Sequence, residues 1–169
     1  DTALADYNTA LPALRRADDR MWVWRTLLNR GVLYGHRFQL GNALADLREA
    51  TRLADELGLG TSAAFTRQNL GWVNMLAGDL PQALRDLDEA EQRLRGLKAQ
   101  LGAVLRDRTE LLLSMCLAAE ARAAAEAATV ELRRERRLFV VPEVRLLHSR
   151  AALLDGDPAT ALAQARAAV

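Results

Sequence analysis

One thiol and two imidazoles are all that this chain offers to nucleophilic or metal chemistry: Cys116, His36 and His148. A covalent mechanism needs a nucleophile beside a base, and a third group to orient that base. His36 and His148 stand far apart along the chain. Cys116 sits within Leu111-Leu112-Leu113-Ser114-Met115-Cys116-Leu117, where a free thiol is expected to pack as a small hydrophobe on an apolar helix face. The three residues lack metal-ligand spacing, which argues against a structural zinc. Carboxylates such as Asp86, Asp88 and Glu89, or Asp18 and Asp19, read as solvated helix faces and helix starts, where the helix dipole favours acids. Gly58-Leu59-Gly60 has neither the lysine nor the preceding strand of a phosphate loop. The expectation is a protein that is no enzyme, with no catalytic residue, no cofactor and no metal.

The chemistry that remains is that of an amide. Asn29 and Asn69 each carry a donor and an acceptor, which can pair with the backbone of an extended peptide whatever its sequence. They are 40 residues apart, and so are the small and apolar residues that follow them. Asn29 and Gly31 are followed by Ala43, Leu47 and Ala50; Asn69 and Gly71 are followed by Ala83, Leu87 and Ala90. A fixed period in this range is the signature of a solenoid, whose units bury their apolar faces only against their neighbours. Gly31, Ala43, Gly71 and Ala83 are the small residues at which paired helices come close, with Leu47 and Leu87 filling the space around them.

The register extends outward to Ala3, Tyr7 and Ala10 on one side and to Ala123, Ala127 and Val130 on the other. In the third unit Leu111 then replaces the glycine and Thr109 the asparagine; in the fourth, Ser149 and Leu147 stand there. Gly78 to Ala83 is matched by Gly156 to Ala161, which sets the last unit 38 residues after the third. The helices expected are residues 2–17, then hairpins of 20–36 with 39–56, 61–77 with 81–97, 101–117 with 119–137, and 141–154 with 158–169. Pro81 and Pro158 fall at helix starts, where the missing N–H costs nothing.

Composition supports an all-α chain. Half of the 169 residues are hydrophobic, isoleucine is absent, and Ala and Leu dominate the apolar set, both strong helix formers. A net charge of +1 asks for neither nucleic acid nor a membrane. Arg133-Arg134-Glu135-Arg136-Arg137 reads as an outer helix face with Glu131 and Glu135 as ion-pair partners, since no aromatics interleave it. A single cysteine fits a cytoplasmic protein. Both ends fall in second helices of hairpins without a polar capping repeat, so the expectation is one solenoid over residues 1–169 (half-repeat 1–18, repeats 20–58, 60–98, 100–138 and 140–169), cut from a longer protein. Its exposed end helices, around Leu4, Leu11, Leu14 and Leu162, would let it self-associate.

The Asn29-x-Gly31-x-x-Tyr34 and Asn69-Leu70-Gly71 motifs, with alanines at 43, 50, 83 and 90, resemble the tetratricopeptide repeat (TPR). The long period and the asparagine two residues before the glycine are similar to the kinesin-light-chain type. The resemblance implies a TPR-like superhelical solenoid of antiparallel hairpins, about nine helices, with the first helix of each hairpin lining a concave groove. Groove positions would then be Arg25, Asn29 and Val32, next Phe65, Asn69 and Trp72, and last Leu105, Thr109 and Leu112 with Arg108 adjacent. Arg25, Asn29, Asn69, Trp72 and Arg108 are the candidate peptide-binding residues. For the asparagines the alternative is a bridge between helices inside the stack; for Trp72 it is core packing, the role expected also of Trp22 and Trp24. The only lysine, Lys98, lies in a turn, so the basic clamp of chaperone-binding TPRs cannot be assembled.

Phrases such as Ala45-Asp46-Leu47, Gly78-Asp79-Leu80-Pro81-Gln82-Ala83-Leu84 and Leu87-Asp88-Glu89-Ala90-Glu91 resemble the TPR region of actinobacterial proteins with a caspase-like CHAT domain. That likeness implies a module that recognises a protein or peptide partner, or its own missing downstream domain. The alternative parent is a bacterial ATP-binding transcription regulator whose TPR-like region senses a ligand or partner.

Overall fold

Nine α-helices and one short 3-10 turn make up the secondary structure of residues 2–169, the residues that this computed structural model describes, and no strand occurs among them. The helices are α1 (Thr2–Arg16), α2 (Arg20–His36), α3 (Leu40–Glu56), α4 (Thr61–Leu76), α5 (Leu80–Gly96), α6 (Gly102–Ser114), α7 (Ala118–Arg134), α8 (Val141–Leu154) and α9 (Pro158–Ala167). The chain is all-α, in the class of helix-hairpin solenoids.

One device ends each of the first eight helices. A residue in the left-handed region, with φ between 51° and 81°, stands at Asp18, Phe38, Gly58, Gly78, Lys98, Cys116, Arg136 and Gly156. Around it two backbone bonds close the helix, as where Gln39 N donates to Tyr34 O at 3.0 Å and Phe38 N to Gly35 O at 2.9 Å. This is the Schellman motif, which satisfies carbonyls that the helix end would otherwise leave unpaired. These positions form a ruler. Each step is 20 residues except Lys98 to Cys116, which is 18. The shortfall falls in α6, with 13 residues where α4 has 16.

That missing pair of residues corrects the expected register. The buried face of α7 is Ala121, Ala125, Ala128 and Leu132, and not Ala123, Ala127 and Val130; Ala123 and Val130 are exposed. On α6, Thr109 takes the place of Gly31 and Gly71, and Asp107 that of Asn29 and Asn69. Ser149 and Leu147 stand where expected on α8. The 38-residue step lies between the second and third hairpins, not before the last.

Small-residue contacts hold the hairpins together. A Cβ at Gly31 would lie 2.8 Å from Leu47 Cγ, and one at Gly71 3.1 Å from Leu87 Cγ. Sixteen positions separate each pair. At the same spacing in the third hairpin stand Thr109 and Ala125, both buried. There the larger residue stands on the first helix of the hairpin and the small one on the second.

Two further expectations change. Cys116 is not on an apolar helix face but exposed, at the left-handed turn after α6. Trp22 is 53% exposed, because Val23, Thr26, Leu27 and Gly31 form the buried stripe of α2 and leave position 22 outside it.

The chain divides into two compact units, Asp1–Arg93 and Leu94–Val169. In the first, α2 packs on α1, α3 and α4. Its core joins Leu11, Val23, Leu27, Ala50 and Leu53 in one cluster and Ala43, Leu47, Leu70 and Val73 in another. In the second, α8 packs on α6, α7 and α9, around Leu112, Leu113, Ala121, Ala124, Leu147 and Ala151. The Glu135 carboxylate accepts from the backbone N–H groups of Leu101 and Gly102, at 2.6 and 2.9 Å, and so caps the start of α6. Of the basic run, Arg134 pairs with Glu131 at 2.6 Å.

Candidate functional site

A groove of about 480 Å³ opens between α1, α2 and α4 in the first unit, lined by Tyr7, Asn29, Val32, Leu33, His36 and Asn69. Helix periodicity puts Asn29, Val32, Leu33 and His36 on one stripe of α2 (steps of three, one and three). Asn69 comes across from α4 and Tyr7 from α1. The two asparagines found by their 40-residue spacing therefore line one groove.

Their amides are in different states. Asn69 Nδ2 donates to Phe65 O of its own helix at 2.8 Å, which fixes the rotamer and leaves the amide oxygen for another partner. Asn29 is exposed and, among the described residues, its side chain makes no hydrogen bond. The other lining side chains are apolar or aromatic, and none is an acid or a lysine or arginine. Such a surface suits a neutral backbone carrying an apolar side chain, and offers no nucleophile beside His36.

Trp72 stands behind this groove. Its ring contacts the α2 backbone at Gly35, where a Cβ would lie 2.6 Å from Cζ3, and meets the His36 ring at 4.8 Å between centroids, with planes 49° apart. It belongs to the core cluster of Ala43, Leu47, Leu70 and Val73. Trp72 thus positions His36, which the sequence reading missed; continuing the Asn29–Val32 stripe by one turn would have found it. Trp24 packs on the other core cluster, and its Nε1 donates to Thr66 Oγ1 at 3.1 Å.

The remaining candidates lie elsewhere. The Arg25 guanidinium sits 5.3 Å from the centroid of the exposed Trp22 ring, a cation–π contact one turn before Asn29. Arg108 is on α6 of the second unit, half-buried and with polar partners of its own. Leu105, Thr109 and Leu112, expected to face a groove, are buried. Thr109 Oγ1 bonds Leu105 O at 2.8 Å. The two-residue shortening of α6 turned that stripe inward.

Among the described residues no three His, Cys, Asp or Glu side chains could hold a metal ion together, and no helix is long and apolar enough to cross a membrane. The fold defines a protein of helix-hairpin repeats, and the site is a neutral groove on its first unit. No family model matches the chain. No curated protein matches it. Among solved structures, it is similar to the crystal structure of BtubC (BKLC) from P. vanneervenii, with a TM-score of 0.81 at 17% sequence identity, over 96% of this chain and 68% of that one. At that identity the likeness bears on the fold alone.

Proposed function

We propose that this chain is a TPR-like interaction module that binds a peptide or partner segment, and that the groove between α1, α2 and α4 is where it does so. The observation that carries the reading is the presence of Asn29 and Asn69, 40 residues apart in sequence, in the lining of one groove. The ligand it fits is an extended segment whose backbone pairs with both amides while an apolar side chain rests between Tyr7 and Val32. The module binds and does no chemistry, in a cytoplasmic setting that agrees with a single cysteine. Within this reading the repeat phrases point to the recognition part of a CHAT protease-like protein. Exposed Cys116 and buried His148 take no part in that protein's catalysis.

The test is selection of binding peptides from a library, followed by titration of the best one into wild type and into Asn29→Ala/Asn69→Ala. Each amide bond to a ligand backbone is worth about 1 kcal/mol, roughly fivefold in affinity, so the double variant should bind about 25-fold more weakly or worse. Its helicity should be unchanged. Equal affinity would remove the asparagines from the site, and loss of helicity would make them structural.

A further inference from the structure

Two successive repeats treat the same buried carboxylate differently. In the first, Asp46 is held by Arg30, whose Nε donates to Oδ2 at 2.7 Å and whose Nη2 donates to Oδ1 at 2.8 Å. The same guanidinium reaches Asn8 Oδ1 through Nη1 at 2.7 Å. Forty positions on, these three places belong to Asp86, Leu70 and Arg48. The carboxylate is kept, and its arginine has become a leucine.

Asp86 is only 2% exposed. It accepts from Asn74 Nδ2 at 2.7 Å and has the Gln82 amide beside it, both neutral donors. The guanidinium of Arg67 stands 3.8 Å away, outside hydrogen-bond range, and pairs instead with Glu89 at 2.8 Å and Asp55 at 3.4 Å. Burial holds the Asp86 carboxyl above its usual value. Over it opens a cleft of about 600 Å³ between α3, α4 and α5, with Leu70, Asn74 and Arg67 in its wall. Arg67 Nε is buried there without a hydrogen-bond partner. The cleft therefore joins a buried carboxylate that no guanidinium hydrogen-bonds to a donor nitrogen without an acceptor.

We propose that this cleft binds a guanidinium group, so that an arginine brought by a ligand pairs with Asp86 as Arg30 pairs with Asp46. A planar fork suits a carboxylate better than an ammonium does. A carbonyl or carboxylate on the same ligand answers Arg67. Arg48, which lines the cleft and has no partner among the described residues, is the internal competitor and weakens the site. The proposal is independent of the α1–α2–α4 groove and shares no residue with it.

The experiment is an amide-resonance titration with Nα-acetyl-arginine amide, free L-arginine, and Nα-acetyl-citrulline amide as the uncharged isostere. Saturable shifts at Leu70, Asn74 and Asp86 are expected from the arginine compounds and none from citrulline. Blocked arginine binding more tightly identifies a peptide residue as the source, and free arginine binding more tightly identifies the amino acid. Asp86→Asn should weaken binding at least tenfold. Leu70→Arg should supply the missing guanidinium from within, abolish binding and raise the Tm. Arg48→Ala, which does not depend on that repacking, should tighten binding severalfold. The proposal is overturned by absence of saturable shifts, equal binding of citrulline, or affinity unchanged by both Asp86→Asn and Arg48→Ala.

Discussion

Gly35 of α2 lies directly under the Trp72 ring of α4: a Cβ there would stand 2.6 Å from Cζ3 and 2.9 Å from Cη2. These are closer than any carbon contact that packing tolerates, so the glycine is what lets the two helices meet. The same ring meets His36 on the groove wall. Gly35→Ala should therefore push Trp72 aside, at a cost of about 1–3 kcal/mol for overpacking a dense core. Urea denaturation measures the loss, and a red shift in tryptophan emission reports the displaced ring. Gly35→Ala combined with Trp72→Leu should recover much of the stability, because the atoms that collide are then gone. Stability unchanged by Gly35→Ala alone would mean that the helices shift freely here.

The Arg30–Asp46 pair makes a second prediction. Asp46 has a 9% exposed side chain and Arg30 a 16% exposed one. The pair is thus largely desolvated, and the carboxylate holds the guanidinium pKa above its usual value. Removing one member leaves a buried charge without its counter-ion. Arg30→Leu, which copies the residue at position 70, should cost about 3 kcal/mol. Arg30→Leu with Asp46→Leu should cost less than Arg30→Leu alone, since no charge is then stranded. A thermodynamic cycle over the four proteins measures the coupling. Strictly additive losses would show that the pair contributes only its packing.

The helices and the groove were legible in the sequence to different degrees, for physical reasons. The 40-residue recurrence of Gly31, Ala43 and Leu47 identifies the hairpins because close helix contacts tolerate few residue types, and it places Asn29 and Asn69 in equivalent positions. It cannot show a deletion inside a helix. The two residues lost from α6 moved Thr109 into the position of Gly71 and turned Leu105 and Leu112 inward. The clue was available at the turns. Cys116, Phe38, Lys98, Arg136 and Asp18 hold the left-handed position that Gly58, Gly78 and Gly156 hold elsewhere. With glycine at only three of those eight places the ruler is hidden, since other residues adopt that conformation at a cost of about 1 kcal/mol and carry no composition signal. Tyr7 was missed because a groove draws on three helices, and periodicity within one helix identifies only one of its walls; His36 lies on the Asn29–Val32 stripe itself, one turn further along.

His148 supplies a prediction about pH. It lies in α8 against α7, 4% exposed, and its Nε2 is buried without a hydrogen-bond partner. The groups facing it are Glu126, whose Oε1 is 3.7 Å away, Arg122 from the same helix, and Asp157 at the start of α9. Burial lowers the imidazole pKa first, and the charge of Arg122 lowers it further; Glu126 and Asp157 only partly offset them. Arg122 is itself held by Asp155 at 2.7 Å and Asp157 at 3.0 Å. The sign follows from proton binding. Below the ordinary histidine value of about 6.5 the unfolded chain takes up a proton that the folded chain refuses, so stability must fall as pH drops through that point. The loss continues until the pH passes the lowered folded value, with a limiting slope of about 1.4 kcal/mol per pH unit for one proton. His36 and the carboxylates titrate as well, so the measurement is a difference. Denaturation of wild type and His148→Leu, run between about pH 7 and about pH 5, should give curves that converge or cross as wild type weakens. Parallel curves would show that His148 accepts its proton in the folded protein as readily as in the unfolded one, with Glu126 turned inward to receive it.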